Sequence, residues 1–212
     1  MTPRRVACIL LTASLLAPAT ARAQTVAFRA FADAGVTTFL ARQSFTAVLG
    51  SSSGAVFGGG AEIVLSHRVF VSFGASRFQK DGTRVFVNNG QTFDLGIPTT
   101  IRITPLLLSA GYRFAGEHAR IVPYAGGGIG WHRYEETSAF AQSGENASQR
   151  FTGFQVLGGA EYRVNAWLGV AGEATFASVA NALGTNPDSA SAQFGESNLG
   201  GTTIVARIVV GR

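Results

Sequence analysis

From residue 26 onward the chain alternates. Apolar side chains exchange places with polar or small ones at every second residue, the period of a strand whose two faces meet different surroundings, and helical periodicity is hard to find. The pattern predicts eight strands: Val26–Phe39, Val56–Leu65, Val69–Phe78, Pro105–Phe114, Ile121–Tyr134, Phe151–Arg163, Trp167–Ser178 and Thr202–Val210. Three connections are short (66–68, 115–120 and 164–166), and between them lie four long polar ones (40–55, 79–104, 135–150 and 179–201). The second long segment carries a hairpin signature of its own, RVFVNNGQTF, with Asn89-Gly90 as its turn. Short turns at one end and long segments at the other are the pattern of a transmembrane barrel of even strand number. The predicted fold is all-β, an eight-stranded antiparallel up-and-down transmembrane β-barrel.

The alternation also separates charge from its absence. In the first strand Phe28, Ala30, Ala32, Ala34 and Val36 oppose Arg29, Phe31, Asp33, Gly35 and Thr37. In the sixth, Phe154, Val156 and Tyr162 share a face while Glu161 and Arg163 share the other, and the seventh and eighth place Glu173 and Arg207 opposite apolar rows. A basic side chain held against lipid at mid-depth costs about 2–4 kcal/mol, so the uncharged face is predicted to meet hydrocarbon. The lumen then receives Arg29, Asp33, Glu62, Arg113, Glu161, Arg163, Glu173 and Arg207, four acids and four bases. Side chains fill a barrel of this size, and buried charges need partners, so a salt-bridged interior is expected in place of an open pore. An ion-conducting row would carry an excess of one sign.

The tyrosines and tryptophans sit near strand ends. Tyr112, Tyr124, Tyr162 and Trp167 fall by the short turns, and Trp131 and Tyr134 by the long segments, which predicts two aromatic girdles at the membrane interfaces. An internal echo joins GGAEIVLSHRVFV (59–71) to GGAEYRVNAWLGV (158–170), and places Glu62 and Glu161 on the same side of equivalent hairpins.

The first 23 residues stand apart. Arg4 and Arg5, the apolar run from Val6 to Leu16, and Ala21-Arg22-Ala23 are ordered as a secretory signal peptide, leaving residues 24–212 as the barrel domain. Its removal takes three arginines away and leaves 14 basic against 12 acidic residues, with no Lys/Arg-rich block for nucleic acid. Cys8, the one cysteine, falls within the signal, so the mature chain has no disulfide or thiol chemistry.

The segment PYAGGGIGWHRY (123–134) tests a different class of function. Its glycines do not satisfy G-x-G-x-x-G, and no phosphate-loop lysine or helix follows them, so they read as a curved strand and not as a nucleotide cradle. Together with the signal segment, the eight strands, TPLLLSAGYRF and the GGAE strands, it resembles the small outer-membrane β-barrel proteins, the OmpA-like, OmpX-like and OmpW-like group. The resemblance covers nearly all of the mature chain. It implies a Gram-negative cell outer membrane, both termini in the periplasm, long loops outside the cell, and lipid, lipopolysaccharide, periplasmic chaperones and the barrel-assembly machinery as partners, with an extracellular ligand at the loops. The chain departs from the group in ending Val-Val-Gly-Arg, where such barrels often end on an aromatic residue.

Some barrels of this size modify lipid A, which requires a serine and a histidine oriented by an acid. His67 and His118 fall in short turns. His132, near Glu135 and Glu136, is the nearest approach to such a set, and its spacing matches no motif. No catalytic residue, cofactor or metal site is assigned. The expected function is structural and surface-interacting. Two alternatives remain: an OmpW-like conduit for small apolar molecules, kept open by Phe31, Leu157, Val205 and Val209 on the inner face, and a soluble lipocalin-like carrier, whose N-terminal G-x-W is missing.

Overall fold

The computed structural model describes residues 26–65, 68–88, 90–116, 119–138, 140, 146–187 and 189–211. The signal segment with Cys8, and likewise His67, Asn89, His118, Glu145 and Asp188, lie outside the described residues. The elements are β1 (Ala27–Phe39), α1 (Arg42–Leu49), β2 (Ser53–Val64), β3 (Val69–Asn88), β4 (Gln91–Arg113), β5 (Ile121–Thr137), β6 (Ala147–Arg163), β7 (Leu168–Ser178), α2 (Ala190–Gln193) and β8 (Gly201–Gly211). The eight strands form one closed barrel in sequence order. Every neighbouring pair is antiparallel, and the seam between β1 and β8 pairs Arg29 with Gly211 and Asp33 with Arg207. Closure pairs every strand edge, which is what a sheet surrounded by hydrocarbon requires.

The two faces of the wall differ in exposure. Phe28 and Phe154 on the outer face are 66% and 74% exposed, while Glu62, Arg113 and Glu161 on the inner face are 7%, 3% and 2% exposed. Apolar side chains outside and charged ones inside invert the order of a soluble domain. Such a surface is stable against lipid and not against water.

Three of the four long segments differ from expectation, the last (179–201) by the short helix α2. The hairpin predicted within 79–104 is not a separate element. β3 and β4 run through it without a break and project well past the barrel wall, with one register shift between Thr83 and Val85. Asn88 pairs with Gln91, and Gly90 at φ 75° takes the left-handed position that a two-residue turn demands. The segment 40–55, read as a polar loop, contains α1, whose Phe45, Val48 and Leu49 fall at helical spacing on one face. Ala41 precedes α1 without a side-chain cap. The cap is supplied from the β7–β8 connection, where the Glu196 carboxylate accepts from the backbone N–H of Gln43 and Ser44 and from the Ser44 hydroxyl. So anchored, α1 turns its apolar face onto the inward side chains at the long-loop end. Phe45 stacks on Phe39 at 4.2 Å, and Phe39 meets Phe78 edge-on at 4.9 Å. Ile101, Ile103, Val179, Ala182 and Leu199 complete this cluster.

Candidate functional site: the barrel lumen

All eight charged residues predicted for the lumen point inward, and the structure sorts them into two groups. Nearest the short turns, Arg29 and Arg113 bridge the same two carboxylates. Arg29 donates to Glu62 at 2.9 Å and to Glu161, and Arg113 donates to Glu62 at 3.3 Å and to Glu161 at 2.8 Å. Arg163 stands at the margin, 3.9 Å from Glu161. Its Nη1 also donates to the backbone carbonyls of Gly116 and Ala119, so it ties the β4–β5 turn to β6. Further along the axis Arg207 holds Glu173 with two parallel bonds of 2.7 and 2.9 Å and reaches Asp33 at 3.2 Å.

The GGAE echo now has a physical content. In each copy the second glycine and the glutamate are the inward-facing pair. A Cβ on Gly60 would lie 2.1 Å from the Phe73 carbonyl oxygen and 2.8 Å from the Phe31 ring, and one on Gly159 would lie 2.5 Å from the Gly172 carbonyl oxygen and 2.6 Å from the Tyr124 hydroxyl. Each glycine therefore leaves room for an aromatic ring that lies beside an arginine: Phe31 under Arg207 at 4.0 Å and Tyr124 beside Arg113 at 5.9 Å. Two residues on, each glutamate accepts from Arg29 and Arg113. The glycines of PYAGGGIGWHRY divide by parity: Gly126, Gly128 and Gly130 line the lumen, and Gly127 faces out. A Cβ at Gly128 would lie 2.0 Å from the Leu108 carbonyl oxygen, so the close approach of β5 to β4 excludes any larger residue there.

Four of the six predicted girdle aromatics take the outer face. Tyr112, Trp131, Tyr162 and Trp167 are between 41% and 58% exposed. Tyr124 and Tyr134 do not belong with them. Trp131 faces out, and on a strand of period two residues 124 and 134 then face in. Tyr124 donates to Glu173 at 3.1 Å, and Tyr134 packs against the α1 cluster and donates to Glu136 at 3.4 Å. His132 likewise faces the lumen and is buried, near Ser109 and Gln155 around a cavity of about 100 Å3. Among the described residues, His132, Glu135, Glu136 and a serine do not come together as a catalytic set. Glu135 pairs outward with Arg133 at 2.8 Å, and Glu136 pairs with Arg84 at 3.6 Å. Gln155 donates to the Ser109 hydroxyl at 2.7 Å, and the His132 ring bonds to neither a serine nor a carboxylate among the described residues.

On the outer face, just beyond Trp131, the strand register lines up a belt of arginines. Arg133 pairs with Arg150 across β5 and β6, and Arg102 pairs with Gln79, two residues from Arg77 on β3.

Known folds agree with this architecture. The solved structure of Neisserial surface protein A matches over 87% of this chain and 96% of its own, at 14% identity and a TM-score of 0.52. A major outer membrane protein from Thermus thermophilus matches over 89% of this chain and 100% of its own, at 10% identity and a TM-score of 0.58. At these identities the likeness is one of fold. Comparison with curated proteins returns no match. The profile described as outer membrane protein beta-barrel domain matches residues 7–204. With the closed eight-stranded wall, its apolar exterior and its paired interior charges already in view, the chain belongs to the outer-membrane β-barrel family, and its place is the outer membrane.

Proposed function

We propose that this protein is a structural and surface-interaction barrel of the outer membrane, closed along its axis, not an enzyme, and exported through a signal cut after Ala23. The observation that carries the closed reading is the succession of layers inside the wall. The Arg29–Glu62–Arg113–Glu161 set, the Arg207–Glu173–Asp33 set and the apolar cluster around Phe39, Phe45 and Phe78 follow one another from the short-turn end to the long-loop end. Ion pairs cross the axis at two levels, and an apolar layer covers the third. An ion crossing the barrel would have to break these buried pairs.

The surface role rests on the outer face. The arginine belt lies where the phosphates of lipopolysaccharide meet the wall. The β3–β4 hairpin beyond it exposes the cross-strand pair Phe86 and Phe93, together with Leu95, to an extracellular ligand. Planar-bilayer recording in membranes with a lipopolysaccharide leaflet tests both parts. The refolded protein is expected to insert without unit currents and to retain less lipopolysaccharide as Arg133→Ala with Arg150→Ala. Stable unit currents would remove the closed reading, and unchanged retention would remove the belt.

A further inference from the structure

The mouth at the short-turn end is a cavity of about 910 Å3, within the range of small-ligand sites. Arg29, Arg68, Arg113, Arg120 and Arg163 line it, and Glu161 is its one acidic residue among the described lining. Arg29 and Arg113 are engaged by Glu62 and Glu161, and Arg163 reaches Glu161 and the β4–β5 turn. Arg68 and Arg120 are left over. They come from the β2–β3 and β4–β5 turns, both are partly or fully exposed, and neither has a carboxylate partner among the described residues.

Arg68 carries a second signal. It sits at φ 64°, a left-handed position that glycine or asparagine adopts readily and that a long side chain adopts at a cost. Its carbonyl accepts from the Arg113 N–H, so the strained turn is fixed to β4, and its guanidinium reaches toward Gly116 in the neighbouring turn, where a Cβ would lie 3.8 Å from Nη2. Among the described residues of the turn, nothing calls for an arginine. Strain retained at a residue whose side chain projects into a cavity points to a use for that side chain.

We propose that this mouth is an anion site for phosphate groups, with Arg68 and Arg120 as the primary donors above a floor formed by the Arg29–Arg113 pair. Guanidinium groups recognise phosphate by charge-assisted, two-point hydrogen bonds. Barrels of this family keep their short turns on the periplasmic side, so the site opens toward the periplasm. Two sources of phosphate reach it there. One is a soluble phosphate compound, and the other is the headgroup of an anionic phospholipid entering beside the outward-facing Trp167.

The test uses the refolded mature protein in a maltoside detergent, titrated with inorganic pyrophosphate and followed by calorimetry. Saturable binding is expected. It should weaken about tenfold in Arg68→Gly, which removes the guanidinium while leaving a residue suited to the positive φ, and further when combined with Arg120→Ala. Arg42→Ala, exposed at the start of α1, should leave it unchanged. A boiled-versus-unboiled gel shift reports folding, which Arg68→Gly should preserve or improve. A second arm places the protein in nanodiscs of phosphatidylglycerol or of phosphatidylcholine. Loss of pyrophosphate binding in phosphatidylglycerol alone identifies the lipid headgroup as the occupant, and equal binding in both identifies a soluble one. Absence of saturable binding, or affinity equal in wild type and in folded Arg68→Gly with Arg120→Ala, would overturn the proposal.

Discussion

The two ends of the lumen are held by opposite means. Toward the short turns, Glu62 and Glu161 each accept from two arginines contributed by β1 and β4, and both carboxylates are buried. Toward the long loops, contact among Phe39, Phe45, Phe78, Ile101 and Ile103 does the work, with a helix and not the wall supplying part of the surface. The first arrangement is rigid and intolerant. A buried ion network loses most when one member is removed, because the remaining charges stay behind unpaired. The second can rearrange, since apolar neighbours relax partly into a vacated volume.

The contrast can be broken at three points, each read by urea unfolding of the refolded barrel in micelles. Glu161→Ala strands Arg29 and Arg113 together and is expected to destabilise the barrel by about 3–5 kcal/mol. A loss under about 1 kcal/mol would mean that water or lipid headgroups already share those arginines. Phe45→Ala removes the ring stacked on Phe39 and should cost about 3 kcal/mol. In combination with Glu161→Ala its effect should add to within about 0.5 kcal/mol, because the two sites share no neighbour. Marked non-additivity would merge the two ends into one unit. Glu196→Ala removes only the cap of α1 and should cost about 1 kcal/mol, with Glu196→Gln retaining part of it. If Glu196→Ala matched Phe45→Ala in cost, α1 would be held by its cap and not by its apolar face.

How far the sequence carries this picture depends on the distance over which each feature is written. The charged end was legible because parity is a local rule. Once Phe28 and Phe154 are set outward, Arg29 and Glu161 have one direction left. Parity also contained a fact that depth alone missed. Tyr124 and Trp131 stand an odd number of residues apart and cannot share a face, so proximity to a strand end was not enough to make Tyr124 a girdle residue. The run of glycines between them hid this, because a residue without a side chain shows no alternation. The apolar end was less legible. Phe45, Val48 and Leu49 do have helical spacing, but eight residues are too few to separate a helix from an irregular loop. The partner that fixes the helix, Glu196, lies 152 residues away from Ser44. Likewise the β3–β4 projection resembles a loop with its own hairpin in the sequence, because Asn-Gly turn chemistry is local and its pairing, such as Lys80 with Ile101, is not.

The seam has a consequence in time. β1 is the first strand to leave the ribosome, yet its second edge is satisfied only by β8, through pairs such as Asp33 with Arg207. Arg207 also completes the shell of Glu173, so an acid on the seventh strand and another on the first wait for the same late arrival. Until then the chain has open edges, an oily exterior and unneutralised carboxylates. The last strand therefore closes the edges and neutralises both carboxylates in a single step.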